Sequence, residues 1–389
     1  MWFFDSPQIV FGEGSLSYLE GLRGQRACLV TDANLVRLGS AKRVCEALSP
    51  TGMEVKIFDG VEPEPSLETA QRGAAFLLEF APDWVIALGG GSVMDAAKAM
   101  WVLYERPDLI PEAINPLDQL GLRAKARLIA IPTTAGTGSE ATWAVVLTDT
   151  QEKRKLGLGN RENLPDIAIL DPELIMQLPP RLTADTALDA LTHAVEGFTS
   201  AWRNDFSDGL CLKAAQLIFN YLPRAYCAGD DLEARTRLQN AAAIAGLGFG
   251  NSMAALAHGM GHALGGVFHV PHGRAVALFL PYSIEYCAFE SCGITRYLEL
   301  ASFLGLPGTT EETAALSLAE AIRALERSVG QPLTIAECGI SRAELEREME
   351  LLVANALNDT QTIMSSRIPE SEDLRRLFAA AYEGGKVDF

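Results

Sequence analysis

The order of hydrophobic patterns along the chain most constrains the fold that it can adopt. Up to about residue 180, short β-rich runs alternate with helical patterns, and from residue 182 onward Ala- and Leu-rich helical patterns follow one another. Because strands separated by helical stretches of this length form βαβ units, the first half predicts a largely parallel sheet. The Pro179-Pro180 pair is a natural boundary. We therefore predict an α/β domain over residues 1–180 and an all-helical domain over 181–389, with the active site in the cleft between them.

The same patterns locate the individual elements. The strand candidates are 27–30, 54–58, 84–88, 128–131, 144–147 and 167–170. Helical patterns occupy 35–48, 67–80 and 93–104 in the first domain, and 184–200, 206–221, 232–246, 253–264, 311–329, 342–354 and 371–382 in the second.

Composition excludes several classes of protein. With 48% hydrophobic residues, the 389-residue chain can bury a sizeable core. Its 50 acidic and 32 basic residues give a net charge of −18, which repels phosphate backbones and argues against a nucleic-acid partner. No apolar run approaches the roughly 18 residues of a membrane helix, and the N-terminal residues do not read as a signal peptide. The seven cysteines, odd in number and without CxxC spacing, are typical of a reducing compartment, so we expect a cytoplasmic protein without a membrane partner.

A glycine-rich segment is the clearest candidate for phosphate binding. Gly89-Gly90-Gly91-Ser92 follows the apolar run 84–88 and opens a helical pattern. Glycines let the backbone approach a ligand closely, and the free N–H groups of a helix N-terminus suit a diphosphate. Ser92 can cap this helix, with Asp95 as its capping-box partner. The alternative is an ordinary strand-to-helix turn with a good N-cap.

Two further features suit a nucleotide. The loop 133–141 carries hydroxyls and glycines after a predicted strand, although its formal G-x-G-x-x-A match is weak because a strand pattern follows it. Asp32 ends the first predicted strand, where a carboxylate can bind an adenine-ribose hydroxyl and would repel the 2′-phosphate of NADP. The alternatives are an ordinary polar loop and a helix cap.

The distribution of histidine is the sharpest signal. The chain has five histidines, and four of them lie between residues 258 and 272. Asp189 and His193, like His258 and His262, are four residues apart and therefore share one face of a helix. With His272 in a Pro-His-Gly turn, these residues offer one carboxylate and several imidazoles, a ligand set suited to Fe²⁺ or Zn²⁺. His269 is the weakest candidate ligand, and His262 could be a ligand, a proton shuttle or a substrate contact.

Together these features predict a redox enzyme. A divalent ion can act as a Lewis acid on an alcohol and stabilise its alkoxide, and a nicotinamide dinucleotide can exchange hydride with the carbinol carbon. We therefore expect small-molecule alcohol and aldehyde substrates.

At this point the sequence resembles the iron-containing (group III) alcohol dehydrogenase family. Four motifs carry the resemblance, which covers most of the chain: Gly89-Gly90-Gly91-Ser92 with Asp95 and Lys98, the segment from Pro132 to Glu140, the segment from Asp189 to Glu196, and His258-Gly259-Met260-Gly261-His262 followed by Pro271-His272-Gly273. The resemblance implies a Rossmann-like N-terminal domain, an all-helical C-terminal domain and a homodimer or higher homo-oligomer. It also implies a dinucleotide-binding role for the first domain and a metal- and substrate-binding role for the second.

The resemblance also assigns roles to individual residues. The implied metal ligands are Asp189, His193, His258 and His272, and His262 would assist proton transfer near the substrate. The implied cofactor residues are Asp32, Gly90, Gly91, Ser92, Asp95, Thr133, Thr134, Thr137, Lys155 and Leu182. Asp32 corresponds to the acidic residue associated with a preference for NAD over NADP, and Fe²⁺ is the expected metal, with Zn²⁺ as the alternative.

Some positions depart from the family pattern. Glu64 stands where the family often has Asn before Pro, and Gly261 and Ala263 replace residues frequent around the second histidine. The main hypothesis is an NAD-dependent oxidoreductase of a small primary alcohol and its aldehyde. The alternatives are a polyol or hydroxyacid dehydrogenase of the glycerol or 4-hydroxybutyrate type, a lyase like dehydroquinate synthase, and a protein that binds metal and cofactor without catalysis. The lyase would need a cluster of basic residues beside the histidines, and the sequence shows none.

Overall fold

The computed structural model describes residues 3–152, 154–289 and 295–389 of the chain. Contacts within the chain divide it into two compact units, Met1–Gln177 and Leu178–Phe389. The first unit is α/β and the second is helical, so the predicted fold class is confirmed. Within the described residues, no helix is both long enough and apolar enough to cross a membrane.

The first unit is built on a six-stranded sheet with the order β1-β8-β5-β4-β2-β3, in which every strand pair is parallel. The strands of this sheet are β1 (Gln8–Phe11), β2 (Arg26–Val30), β3 (Glu54–Phe58), β4 (Trp84–Gly89), β5 (Arg127–Pro132) and β8 (Ile167–Leu170). The helices of the unit are α1 (Ala33–Arg37), α2 (Ser40–Leu48), α3 (Leu67–Phe80) and α4 (Gly91–Glu105).

Alternation along the central strands places apolar side chains on both faces of this sheet. Val30 and Val85 pack with residues of α3 and α4, whereas Leu29 and Ile86 pack with residues of α2 on the other face. Successive side chains of a strand point to opposite faces, so a strand covered on both sides needs a continuous apolar run. This is why β4 is apolar and buried over its whole length.

The structure differs from the sequence expectation at several elements of this unit. The predicted strand 144–147 is β6 (Ala144–Asp149), which pairs antiparallel with β7 (Arg154–Gly159) in a separate two-stranded sheet. An apolar run predicts a strand but not its partner, and β1 and β7 were missed. The predicted helix 35–48 is divided into α1 and α2 at Gly39, whose φ of 87° is left-handed.

The second unit consists of helices in its described residues. They are α5 (Pro180–Thr199), α6 (Asp205–Cys227), α7 (Leu232–Gly250), α8 (Leu256–Phe268), α9 (His272–Ala288), α10 (Tyr297–Phe303), α11 (Glu311–Ser328), α12 (Arg342–Asn358) and α13 (Ser371–Glu383). The sequence analysis missed α9 and α10. The sequence does not predict α9 because Pro271 and Gly273 are typical of a turn and Pro281 lies inside the helix. A proline at the N-cap is nevertheless compatible with a helix start.

Candidate metal centre and cofactor loops

Three helices of the second unit bring the acidic residue and the histidines together. Helix α5 carries Asp189 and His193, α8 carries His258 and His262, and α9 begins at His272. The start of α9 packs directly on α5 because residue 273 is glycine: a Cβ atom there would lie 2.2 Å from the backbone oxygen of Asp185. The spacing of four residues on α5 and α8 places each pair on one face, as the helical period requires.

The candidate ligand atoms converge on the carboxylate of Asp189. Its Oδ1 lies 3.3 Å from His272 Nε2, 3.7 Å from His258 Nε2 and 3.8 Å from His193 Nδ1. Ligand atoms of Asp189, His258 and His272 all lie within 4.8 Å of one another. The His193 ring stacks on Phe249, with centroids 3.9 Å apart.

Three of these converging atoms are buried without a hydrogen-bond partner: Asp189 Oδ1, His193 Nδ1 and His258 Nε2. Leaving a buried polar atom unpaired costs roughly 1–3 kcal/mol, so a cation that binds these atoms would remove that cost. His193 approaches the Asp189 oxygen but does not belong to the group of Asp189, His258 and His272, whose ligand atoms are all mutually close. Imidazole nitrogen and carboxylate oxygen are donors that suit Fe²⁺ and Zn²⁺. The residues present therefore fit a divalent transition metal ion.

The protonation states of Asp189 and His193 also suit a cation. Burial raises the pKa of Asp189, but the nearby histidines outweigh burial and hold that pKa well below its ordinary value. Burial lowers the pKa of His193 to about 3, although Asp189 opposes the shift. Asp189 is therefore ionised and His193 neutral near pH 7, which are the forms that bind metal ions.

A buried carboxylate behind the cluster orients His258. Glu196 accepts hydrogen bonds from the backbone N–H groups of Ala255, at 2.9 Å, and Ala257, at 2.5 Å, and its Oε2 lies 2.5 Å from His258 Nδ1. When Nδ1 donates to Glu196, the Nε2 lone pair faces Asp189, as in carboxylate–histidine–metal arrangements. Burial disfavours the imidazolium, but the charges of Glu196 and Asp189 raise the pKa of His258 to about 9, so a metal ion must displace a proton there.

His262 lies beside the cluster and has a carboxylate partner of its own. Its Nδ1 is 2.7 Å from Oδ2 of Asp359, which follows α12, and its ring stacks on His272 with centroids 5.2 Å apart. Burial lowers the pKa of His262, and the hydrogen bond that His262 donates to Asp359 opposes that shift. The sequence patterns assign no role to Asp359 or Glu196. Asp359 is 97 residues from His262, so no local spacing could reveal the pair.

The predicted cofactor residues of the first unit follow adjacent strands. Asp32 comes after β2, Gly90 to Ser92 after β4, and Thr133 to Thr137 after β5. The carboxyl ends of parallel strands meet at one edge of a sheet, which is where such folds bind ligands. The two loops after β4 and β5 touch: a Cβ atom at Gly91 would lie 2.8 Å from Thr137 Cγ2, and at Gly90 3.3 Å from Thr134 Cγ2.

The start of α4 corrects one sequence expectation. Gly90, not Ser92, is the N-cap, and no side chain caps this helix. Ser92 Oγ instead accepts a bond of 3.3 Å from the N–H of Glu64, and Asp95 accepts from Ser139 Oγ at 2.8 Å and from Val146 N at 3.0 Å. The third glycine moves the helix start two residues earlier, so the first N–H groups of α4 remain available to a ligand.

Other predicted cofactor residues have protein partners. Asp32 caps α1, accepting from Asn34 N at 2.8 Å and Leu35 N at 3.1 Å. Lys155 Nζ lies 2.7 Å from Glu64 Oε1, and Glu64 has a left-handed φ of 56°. Leu182 is exposed in the first turn of α5.

Lys98 links α4 to the segment that follows β5. Its buried Nζ donates to Ser139 Oγ at 2.8 Å and to the backbone oxygen of Ala144 at 3.0 Å. Burial lowers the pKa of Lys98 to about 8 and raises the pKa of the neighbouring Glu140 carboxyl to about 7. Lys98 and Glu140 occur in the motifs but received no role from the sequence.

Comparison with known proteins decides the family. The sequence pattern described as "Iron-containing alcohol dehydrogenase" matches residues 6–172, and "Fe-containing alcohol dehydrogenase family, C-terminal" matches residues 183–382. The chain belongs to the iron-containing alcohol dehydrogenase family. This confirms the resemblance inferred from the motifs.

Members of the family with known activities resemble the chain over nearly its whole length. It is 38% identical over 383 residues to the NADPH-dependent butanol dehydrogenase of Clostridium saccharobutylicum, which covers 98% of both chains. It is 35% identical over 368 residues to the 1-propanol dehydrogenase PduQ of Citrobacter freundii, covering 94% of this chain and 95% of that protein. The crystal structure of a 1,3-propanediol oxidoreductase superposes with a TM-score of 0.90 at 31% identity, covering 98% of this chain and 100% of the other.

Proposed function

We propose that this member of the iron-containing alcohol dehydrogenase family interconverts a small primary alcohol and its aldehyde with NAD(H) and a divalent metal, Fe²⁺ before Zn²⁺. The observation that carries the proposal is the convergence of three buried, unpartnered ligand atoms at Asp189, His193 and His258. We assign His272 as the fourth ligand because its Nε2 approaches the same carboxylate oxygen. A metal ion supplies Lewis-acid chemistry to such a site, and the nicotinamide supplies hydride transfer.

In this proposal the protein's own groups bind, orient and move a proton. Asp189 brings negative charge to the site, and Glu196 fixes the tautomer and orientation of His258. With Nδ1 held by Asp359, His262 exchanges a proton at Nε2 with the reacting hydroxyl. His262 is therefore the proposed catalytic residue, and Asp359 is a positioning residue.

The cofactor is proposed to bind at the carboxyl edge of the parallel sheet. The backbone N–H groups around Gly90, Gly91 and Ser92 would receive the pyrophosphate, with Thr133, Thr134 and Thr137 beside it. Asp95 would hold the two loops together, because it bonds to both Ser139 and β6. Lys155 and Leu182 are proposed contacts of the nicotinamide half. Asp32 supports NAD over NADP, although the butanol dehydrogenase relative is described as NADPH-dependent.

A polyol or hydroxyacid substrate is the second candidate, and the similarity to the 1,3-propanediol oxidoreductase favours a diol. The family resemblance also supports a cytoplasmic homodimer or higher homo-oligomer.

The experiment is a substrate panel on protein stripped with a chelator and resupplied anaerobically with Fe²⁺ or Zn²⁺. Primary alcohols, diols and hydroxyacids are tested with NAD⁺ and NADP⁺, and metal content and NADH affinity are measured on the same samples. We expect metal-dependent NADH formation. His258→Ala should lose the metal and turnover while NADH affinity changes little, and exposed Lys213→Ala on α6 is the control.

Full activity in chelated His258→Ala would disprove the metal site. No turnover across the panel, with metal and NAD both bound, would overturn the dehydrogenase proposal and favour the lyase.

A further inference from the structure

A second candidate site is an open cavity of about 860 Å³ in the helical unit. Its walls come from the start of α5, the end of α6, the α8–α9 turn and the segment after α11. None of the four proposed metal ligands lines it, and neither does His262. The volume is in the range of pockets that bind small molecules.

Cationic side chains line this cavity. Arg181, Arg274 and Arg327 contribute guanidinium groups, whereas Glu337 is its one lining carboxylate. The carboxylate of Glu337 already accepts a bond of 2.7 Å from Leu333 N. The chain has a net charge of −18, so its average electrostatic potential repels anions. Three arginines at one cavity make the local charge there positive instead.

The three arginines differ in how many of their N–H groups already bind another protein group. Arg181 is exposed, and its side chain makes no hydrogen bond or ion pair in the described part of the chain. The side chain of Arg327 forms an ion pair with Glu320, at 2.9 Å on an exposed surface, and such pairs contribute little. A ligand can therefore recruit both guanidinium groups without breaking a costly interaction.

The third arginine is held in place by other side chains. Arg274 is buried and binds both oxygens of Asp185, at 2.8 and 3.0 Å through Nη2, with Nε 3.2 Å from Oδ1. Gln331 Nε2 donates to the same Asp185 oxygen at 2.6 Å. These bonds use Nε and Nη2, so the Nη1 group retains its two N–H donors for a ligand.

We infer that this cavity binds a phosphate group. Guanidinium groups match phosphate through paired, charge-assisted hydrogen bonds, and a dianion uses several cations better than a monoanionic carboxylate does. The other lining residues include the apolar side chains of Tyr226, Phe268 and Pro332 beside the polar His269 and Gln331, so the wall can contact the organic part of a phosphomonoester. The shared chemistry is a dianionic phosphate, either free or esterified to a small molecule.

The test measures phosphate binding by calorimetry on metal-loaded protein saturated with NADH, so that the proposed cofactor loops are occupied. Inorganic phosphate and glycerol 3-phosphate are titrated separately to distinguish free phosphate from an ester. We expect saturable binding to one site per chain. Arg181→Gln and Arg327→Gln should each weaken it about tenfold, since each removes a charge-assisted bond. Arg347→Gln, an exposed arginine on α12, should leave it unchanged.

The variants separate this site from the others. Phosphate bound at the metal centre or the cofactor loops would bind equally to wild type and to Arg181→Gln. Equal affinity in all variants, or no saturable binding of either probe, would overturn the inference. Because Arg181 and Arg327 are exposed, both variants should fold, and unchanged thermal unfolding checks this. The result does not depend on dehydrogenase activity.

Discussion

At the scale of single residues, the proposed proton transfer depends on the pairing of His262 with Asp359. The 2.7 Å contact restricts His262 to a tautomer in which Nδ1 donates and Nε2 accepts. The charge of Asp359 also opposes the effect of burial, which lowers the pKa of His262. Removing that charge while keeping the hydrogen bond should therefore change proton transfer more than binding.

The variant Asp359→Asn tests this role. We expect kcat to fall by about 10- to 100-fold with little change in metal content or NADH affinity, because carboxylates that orient a functional histidine contribute effects of this size. Without the Asp359 charge the pKa of His262 falls further, so the acidic limb of the kcat profile for alcohol oxidation should move to lower pH. A uniform loss of activity at every pH, with the limb unmoved, would indicate a structural role alone.

Asp32 caps α1 and is also proposed to exclude NADP, and one substitution can separate these two roles. Its carboxylate caps α1, and serine also caps helices well, so Asp32→Ser removes the charge while retaining a cap. If Asp32 excludes the 2′-phosphate of NADP, this variant should raise the ratio of kcat/KM for NADP⁺ to that for NAD⁺ by about tenfold or more.

The matched control for Asp32→Ser is Asp231→Ser, which changes the N-cap of α7 in the same way. It should leave the cofactor ratio unchanged. An unaltered ratio in Asp32→Ser as well would show that Asp32 serves only as a cap.

At the scale of elements, the approach of α9 to α5 determines whether the cluster can form. Gly273 lets the first turn of α9 reach the Asp185 backbone, and a Cβ atom there would also lie 3.1 Å from Asp189 Cβ. These contacts are with backbone and Cβ atoms and not with the flexible ends of side chains. Helices α9 and α5 must therefore move apart to admit a methyl group.

Gly273→Ala should therefore destabilise the protein by about 1–3 kcal/mol and weaken metal binding. Gly266→Ala is the matched control: it lies on α8 with open space around it, and alanine there should stabilise the helix by up to about 1 kcal/mol. Denaturant unfolding and metal titration measure both effects. Equal stability of the two variants would contradict the packing argument.

At the scale of the whole molecule, buried carboxyl groups make stability depend on pH. Glu326 on α11 is buried with Oε1 unpartnered, and burial raises its pKa well above the ordinary value despite Arg323 and Arg327. A raised carboxyl pKa stabilises the folded state below about pH 4.5, and this contribution is lost as the pH rises through the folded-state pKa.

Glu326→Gln should remove this dependence. We expect its stability relative to wild type to increase as the pH rises above 4.5, by an amount on the order of 1 kcal/mol at pH 8. Urea unfolding at pH 5 and pH 8 measures the difference. Exposed Glu320→Gln on the same helix should show no such trend, and an equal trend in both variants would exclude burial as its cause.

The sequence by itself determined what depends on neighbours along the chain. The alternation of strands and helices predicted the parallel sheet, the spacing of Asp189 and His193 predicted a shared helix face, and the glycines after β4 predicted a tight loop. The family motifs indicated that these features belong to one family, the iron-containing alcohol dehydrogenases, and the comparisons confirm that family. Local periodicity is enough here because a helical turn or a strand pleat brings together residues only two to four positions apart.

Only the tertiary structure decided which distant side chains meet. In the structure Glu196 contacts His258, and Asp359 contacts His262. Strand β6 pairs in a separate hairpin, and three arginines line one cavity. These contacts follow from packing between elements tens of residues apart. Each of these residue types is common along the chain. A side chain acquires its chemical role only when the fold buries it away from water and places a partner side chain beside it.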